Sequence, residues 1–412
     1  MKYLISGYYG EKNAGDEAIL AGIVQEVERR DPDACFTVLS FDPADTERRH
    51  GLGRRLTAIS TSLRSPGSIR AAMRGADLLI SGGGSFLHEA DFELHGRSFL
   101  FREGKLRPVP YFLSVVLMAR ARGLPVMWYA QGLGPLHTAA ARRLVARAGS
   151  ASQAVTWRDA DSARLAYAVG VRAPVQLVVP DPVYALAPAD PAEADEELSR
   201  CGIEPGSRFI AVCPRPWLGR SEYLESIGAA LERVASESDL RVLLVPFHEV
   251  QDPPVCETVA ARPGFAGRAR VLPPVGSPAV LAAVLGRADL VVAMRLHSGI
   301  LAATAGTPSV IVDYDPKTRS FAEQTGQCWW TVRVDDLERP GIAESPSLGA
   351  SDLYEAIADT MDDLAARRAA LARAVAPLRS GAGRTAGLAV QLATSGSVRA
   401  GARPARRLRG RA

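Results

Sequence analysis

The chain has 412 residues, 47% hydrophobic and 23% charged, with a formal net charge of +4, a length that favours two or three domains and a charge too small to imply a nucleic-acid protein. Its five cysteines are scattered and form no CxxC pair, which argues against a disulfide framework or structural zinc and fits a reducing cytoplasm. The opening apolar run is too short for a signal peptide, and the apolar stretch 109–130 is cut by Arg120 and Arg122, so a cytoplasmic chain without a membrane span is expected.

In chain order, Tyr3–Ser6 reads as a buried strand, followed by GYYGEKNAGDEAIL (residues 7–20) and a helix over Glu17–Arg30. Glycines there permit close backbone approach, and a helix start offers free N–H groups. Asp16 and Glu17 complement the helix dipole, which is their structural reading. Their charge repels phosphate, so this turn is not expected to hold one.

Further strands are predicted at Cys35–Ser40, Leu78–Ser81, Val126–Ala130, Ala154–Trp157 and Val175–Val178, with helices at Tyr111–Arg122 and Asp161–Ala168. Polar or glycine motifs follow several of them: Gly82-Gly83-Gly84-Ser85, then Gln131-Gly132 with Gly134-Pro135, then Arg158 and Asp159, then PDPVYAL. Asp159 or Asp161 also reads as a helix cap. Strands alternating with helices give a parallel sheet covered on both faces, whose ligands sit beyond the carboxyl ends of the strands. The motifs together describe a polar, backbone-lined cleft.

A Pro/Ala/Asp-rich stretch from Pro180 to Pro191 suggests a hinge near 185–205, after which the alternation resumes. Strands are predicted at Phe209–Cys213, Val242–Pro246, Ala269–Leu272, Leu290–Ala293 and Ser309–Asp313, and helices at Glu222–Glu237, Pro278–Leu285 and Ser298–Ala305. Arg215 follows the first of these strands, and His248 and Asp252 follow the second. In MRLHSGI, Arg295 and His297 leave a strand and enter a helix; Lys317 follows the next strand. Arg and His at a helix start suit an anion. Ser351–Val375 reads as a long helix. The remainder reads as a disordered tail, with six Arg and no acid from Arg399 to Arg411.

The ordered set GYYGEKNAGDEAIL, SGGGSFLHE, YAQGLGP, WRDADSARL, the DP of PDPV, RPW, MRLHSGI, AGTP and YDPK resembles the polysaccharide pyruvyl transferases, and especially the bacterial cell-wall pyruvyl transferases. The resemblance spans Lys2 to Gln327. It implies an α/β fold of glycosyltransferase-B type, with two Rossmann-like domains facing across a cleft. It also implies transfer of the pyruvyl group of phosphoenolpyruvate to two hydroxyls of a cell-wall or exopolysaccharide sugar, forming a ketal and releasing phosphate. The expected division is 1–190 for an acceptor-side domain, 191–345 for a phosphoenolpyruvate-side domain, 346–395 for a helical segment and 396–412 for the basic tail.

By the resemblance, phosphoenolpyruvate falls on Arg295, Leu296 and His297, and on Arg215; Lys317 is added from its charge and place. Such a transfer needs a proton for the methylene carbon, a base for the hydroxyl and cations for the departing phosphate. Arg215 and Arg295 would hold carboxylate and phosphate, and His297 would hydrogen-bond the phosphate or act as acid. Asp16 or Glu17 would stabilise the oxocarbenium-like cation or take the hydroxyl proton. Asn13, Gly83, Ser85, Gln131 and Arg158 are the remaining expected substrate contacts. His248 departs from the family pattern, which leaves its role open, and the Arg-rich tail has no counterpart in it.

No cofactor or metal is expected. The expected partners are phosphoenolpyruvate and a sugar acceptor, lipid-linked or free, with peripheral contact of the tail at the inner face of an anionic membrane. Two alternatives stand beside this reading. One is a nucleotide-sugar glycosyltransferase or epimerase of the same two-domain plan, with a nucleoside diphosphate at the Arg/His motif. The other is a non-catalytic docking protein.

Overall fold

Each half of the chain builds a parallel sheet from short apolar runs. In the computed structural model, residues 1–62, 66–89, 100–102, 105–217, 219–331 and 350–401 are described. The strands of the first half are β1 (Lys2–Ser6), β2 (Cys35–Ser40), β3 (Leu56–Ser60), β4 (Leu78–Leu87), a small antiparallel ribbon of β5 (Phe101–Arg102) and β6 (Lys105–Leu106), then β7 (Val126–Leu133), β8 (Ala154–Trp157) and β9 (Val175–Val178). Without the ribbon they form one parallel sheet in the order β3-β2-β1-β4-β7-β8-β9. The second half contributes β10 (Phe209–Cys213), β11 (Arg241–Leu244), β12 (Ala269–Val271), β13 (Leu290–Ala293), β14 (Ser309–Asp313) and β15 (Cys328–Thr331), ordered β12-β11-β10-β13-β14-β15.

Central strands are apolar along their length because helices cover both faces. Leu4, Leu79, Val126, Trp128 and Val155 are fully buried in the first core, with the rings of Trp128 and Trp157 edge to face at 5.8 Å. Ile210, Leu244, Leu290 and Val310 do the same in the second core, joined by Leu353 and Ile357 from the helix Ala350–Asp362. No helix among the described residues is long and apolar enough to cross a membrane.

The expected boundary at 190/191 is not how the chain divides. One compact unit holds Met1–Glu11, Ile23–Pro182 and the chain from Gly381 onward; the other holds Lys12–Gly22 and Val183–Ser380. The acidic turn therefore groups with the second sheet, because its backbone pairs with the loop after β11. The hinge expected near 185–205 is also largely structured. Pro191–Arg200 is a helix whose Asp190 cap accepts the Ala192 N–H at 2.8 Å. The stretch after Val375, read as a disordered tail, is helical as far as Gly401, since Leu364–Gly401 is one long helix; residues 402–412, with most of the arginines of the basic tail expected from 396, lie outside the described residues.

Candidate functional site

In the second unit, polar groups gather just past the ends of β10, β11, β13 and β14. Arg295 is the residue before the helix Leu296–Ala305. It is not the free cation the sequence suggests. Its Nε donates to Asp252 Oδ2 at 2.7 Å and its Nη2 to Oδ1 at 2.5 Å. Asp252 is fully buried and also accepts the N–H groups of Phe247 (3.0 Å) and His248 (2.8 Å). A side-on grip of this kind leaves the outer edge of the guanidinium, Nη1 and the second Nη2 hydrogen, facing away from Asp252.

The acidic turn meets the same loop. Ala14 N–H donates to Phe247 O at 2.7 Å, Glu249 N–H donates to Lys12 O at 3.0 Å, and Asn13 and His248 form an antiparallel bridge. Lys12 takes a positive φ of 58° to make this turn. The helix Ala14–Glu28 starts three residues earlier than predicted, because the Asn13 side chain accepts the Gly15 N–H at 3.0 Å. Asn13 also donates through Nδ2 to Asp16 Oδ2 at 2.7 Å. A Cβ on Gly15 would overlap the imidazole of His297. Asp16 is half-buried, whereas Glu17 is 1% exposed. Of the two acids, Glu17 is therefore badly placed to touch a substrate.

Arg215 is fixed by an aromatic group. Its Nη1 donates to Tyr314 OH at 3.0 Å, its Cζ lies 5.5 Å from the Tyr314 ring centroid, and its carbonyl accepts the Tyr223 hydroxyl. Burial pushes the Tyr223 hydroxyl up to about 12, which keeps it a donor. Trp217 packs edge-on against both tyrosines.

Lys317 lies in the first turn of the helix Pro316–Thr325, with its N–H on Asp315 Oδ1 at 3.0 Å. Leu296 opens its own helix and is half-buried. His248 Nδ1 accepts the Val250 and Gln251 N–H groups, each at 3.3 Å, which places a neutral ring's proton on Nε2. Burial first, and Arg295 second, lower the pKa of His248.

In the first unit the strand-end motifs are more structural than the sequence suggests. β4 runs through Gly82, Gly83 and Gly84, all at positive φ, and β7 runs through Gln131 after Ala130 at φ 44°. Gln131 is fully buried and donates through Nε2 to Gly84 O (3.0 Å) and Gly132 O (2.8 Å). A Cβ on Gly82 would stand 2.7 Å from Gln131 Oε1, so only glycine lets the two strand ends close. Gly83 is buried too. Gln131 and Gly83 thus shape the strand ends and do not line an open surface. Arg158 has a 7% exposed side chain, donates to Ser85 Oγ at 2.5 Å and lies 3.7 Å from Asp181. Asp159 caps the helix Ala160–Val169 through the Ser162 N–H at 2.7 Å, as its place before the helix suggests.

Among the described residues no group of three or more His, Cys, Asp or Glu is placed to hold a metal ion. In the sequence Asp252 stands out only as a polar residue past a strand and Tyr314 only as the first residue of YDPK; their partners lie far along the chain, Arg295 43 residues and Arg215 99 residues away.

The family model described as polysaccharide pyruvyl transferase matches residues 13–316. No curated protein matches the sequence. Among solved structures, the chain is similar to the UDP-GlcNAc 2-epimerase from Neisseria meningitidis bound to UDP-GlcNAc, at 13% identity and a TM-score of 0.58, covering 96% of this chain and 100% of that one. It is also similar to Anabaena Alr3699/HepE in complex with UDP and glucose, at 13% identity and a TM-score of 0.54 over 98% and 100% of the two chains. A ugt transferase from Siraitia grosvenorii in complex with UDP is similar at 12% identity and a TM-score of 0.55, over 95% and 99%. At such identities the likeness speaks to the fold, two Rossmann-like domains of the glycosyltransferase-B type.

Proposed function

The chain belongs to the polysaccharide pyruvyl transferase family, and from that premise we propose that it transfers the pyruvyl group of phosphoenolpyruvate to two hydroxyls of a cell-wall or exopolysaccharide sugar. One hydroxyl proton ends on the methylene carbon and the other on the departing phosphate; C2 gains two C–O bonds to the sugar and loses its bond to the phosphate oxygen and the π bond to the methylene carbon, which becomes a methyl group. The supporting observation is the meeting of Arg295, His297 and the acidic turn Asn13–Asp16 within one unit.

The outer edge of Arg295 and the helix start at Leu296 and His297 suit the donor's phosphate or carboxylate. Arg215, held on Tyr314, supplies a second cation, and Lys317 is a further candidate. His297 is the group we assign to phosphate contact or proton delivery. Asp16 is assigned to the hydroxyl proton or the oxocarbenium-like charge, with Asn13 holding its carboxylate. Glu17, being buried, is assigned to the fold. Ser85 and Arg158 remain candidate contacts for the sugar.

A second reading has its own support. The Anabaena and Neisseria proteins bind UDP-containing ligands on the same fold, so a nucleotide-sugar could occupy the Arg/His site here. Incubation with phosphoenolpyruvate and N-acetylhexosamine acceptors, lipid-linked and free, separates the two. Phosphate release with a pyruvylated sugar supports the first reading; UDP release from a nucleotide-sugar with inert phosphoenolpyruvate supports the second. The cytoplasmic setting and the contact of the arginine tail with an anionic membrane stay part of this proposal.

A further inference from the structure

We propose that Asp252 is a positioning residue that holds the donor arginine and the acidic turn in one register. The inference rests on the reading above that Arg295 meets the anionic donor. Asp252 precedes the helix Pro253–Ala260, where an Asp ordinarily accepts the N–H of the second or third helical residue. Here its side chain makes no such bond. Pro254 removes one of those two donors, and the carboxylate turns the other way.

There it takes the side edge of Arg295 and the amides of Phe247 and His248. The same Phe247–Glu249 segment pairs with Lys12, Asn13 and Ala14. One fully buried carboxylate thus touches the arginine directly and is linked to Asp16 through the Phe247–Glu249 backbone, the turn paired with it and the Asn13 side chain. A buried charge is tolerable only when paired and hydrogen-bonded, so neither partner can rotate away without stranding the other. The pair is also neutral overall. Arg295 then acts on an anion by the direction of its outer N–H groups, with little net charge to attract it.

The test uses the full chain and inorganic phosphate, a probe of the anion site that needs no turnover, together with donor and acceptor kinetics. Asp252→Asn keeps the shape but points N–H groups at Arg295; it should weaken phosphate binding about tenfold or more, and raise the donor KM far more than the acceptor KM. Asp252→Ala should bind phosphate as weakly. Formate, small enough for the vacated space, should restore that binding at a concentration that leaves wild type unchanged. Formate should do nothing for Arg295→Ala.

A folded Asp252→Asn with wild-type phosphate affinity overturns the inference. So does formate that raises the melting temperature of Asp252→Ala without returning phosphate binding, the pattern of a merely structural role. If neither Asp252 variant folds, Arg295→Lys decides: it keeps the charge but loses the fork, and wild-type affinity there also overturns the inference. Wild-type protein that ignores both phosphate and phosphoenolpyruvate instead overturns the donor-site reading on which it rests.

Discussion

His297 occupies the space that a side chain on Gly15 would need. Two motifs 282 residues apart in the sequence are therefore in van der Waals contact, and the second position of the helix Ala14–Glu28 is glycine for that reason.

This contact sets the sign of a substitution. In an open helix, Gly→Ala would stabilise by up to about 1 kcal/mol through propensity. At Gly15 the added methyl must displace the imidazole, and overpacking of this kind costs about 1–3 kcal/mol. Gly15→Ala should therefore lower the melting temperature and reduce turnover together. A variant that is more stable and fully active would show that the turn has room to give.

The pairing of Arg215 with Tyr314 gives a graded prediction. Tyr314→Phe removes the 3.0 Å hydrogen bond but keeps the ring, and should raise the donor KM several-fold, for a bond worth about 1 kcal/mol. Tyr314→Ala also removes the cation–π contact, about 0.5–1 kcal/mol more. Steady-state kinetics should show the effect on the donor and not on the acceptor. Equal changes in both KM values would assign Tyr314 to packing alone.

Asp16→Asn separates charge from shape, because an amide oxygen can still accept from Asn13. Turnover should fall about a hundredfold or more, the scale of a lost acid–base group, while calorimetric affinity for phosphoenolpyruvate stays level or tightens as a repelling charge goes. Strongly weakened donor binding would mean that the turn serves the donor.

His248 makes a prediction in pH. Its folded pKa is lowered by burial and by Arg295, against the opposite pull of Asp252 and Glu249, so the fold favours the neutral ring. That contribution is fully present above the ordinary histidine value of about 6.5 and is lost as pH falls from there through the lowered folded value. Thermal unfolding of His248→Gln should thus decline less steeply below about pH 6.5 than wild type. Parallel profiles would place the acid sensitivity elsewhere.

How much of this was legible in the sequence varied with the kind of feature. β10, β13 and β14 read correctly as short apolar runs bounded by Gly, Pro or polar residues. β3 (LTAIS) did not, because it is an edge strand with only Leu56 buried and so lacks a continuous apolar signal. The glycines of β4 read as a turn, yet the strand continues through them at positive φ, a conformation open to glycine, and at Gly82 a side chain would also meet Gln131 Oε1. The residue types of the candidate site were visible at strand ends. Their pairing was not, since the Asp252–Arg295 and Gly15–His297 relationships are set by tertiary structure alone.

Pyruvyl transfer is tested by following two products at once, phosphate released from phosphoenolpyruvate and the mass of the sugar product, for wild type and for Arg295→Ala. Wild type should release one phosphate per pyruvate ketal formed. Folded Arg295→Ala should lose both signals by about ten- to a hundredfold or more, since a charge-assisted contact is worth roughly 1.5–3 kcal/mol. Equal turnover by the two proteins, or release of UDP from a nucleotide-sugar while phosphoenolpyruvate stays intact, would contradict this reading.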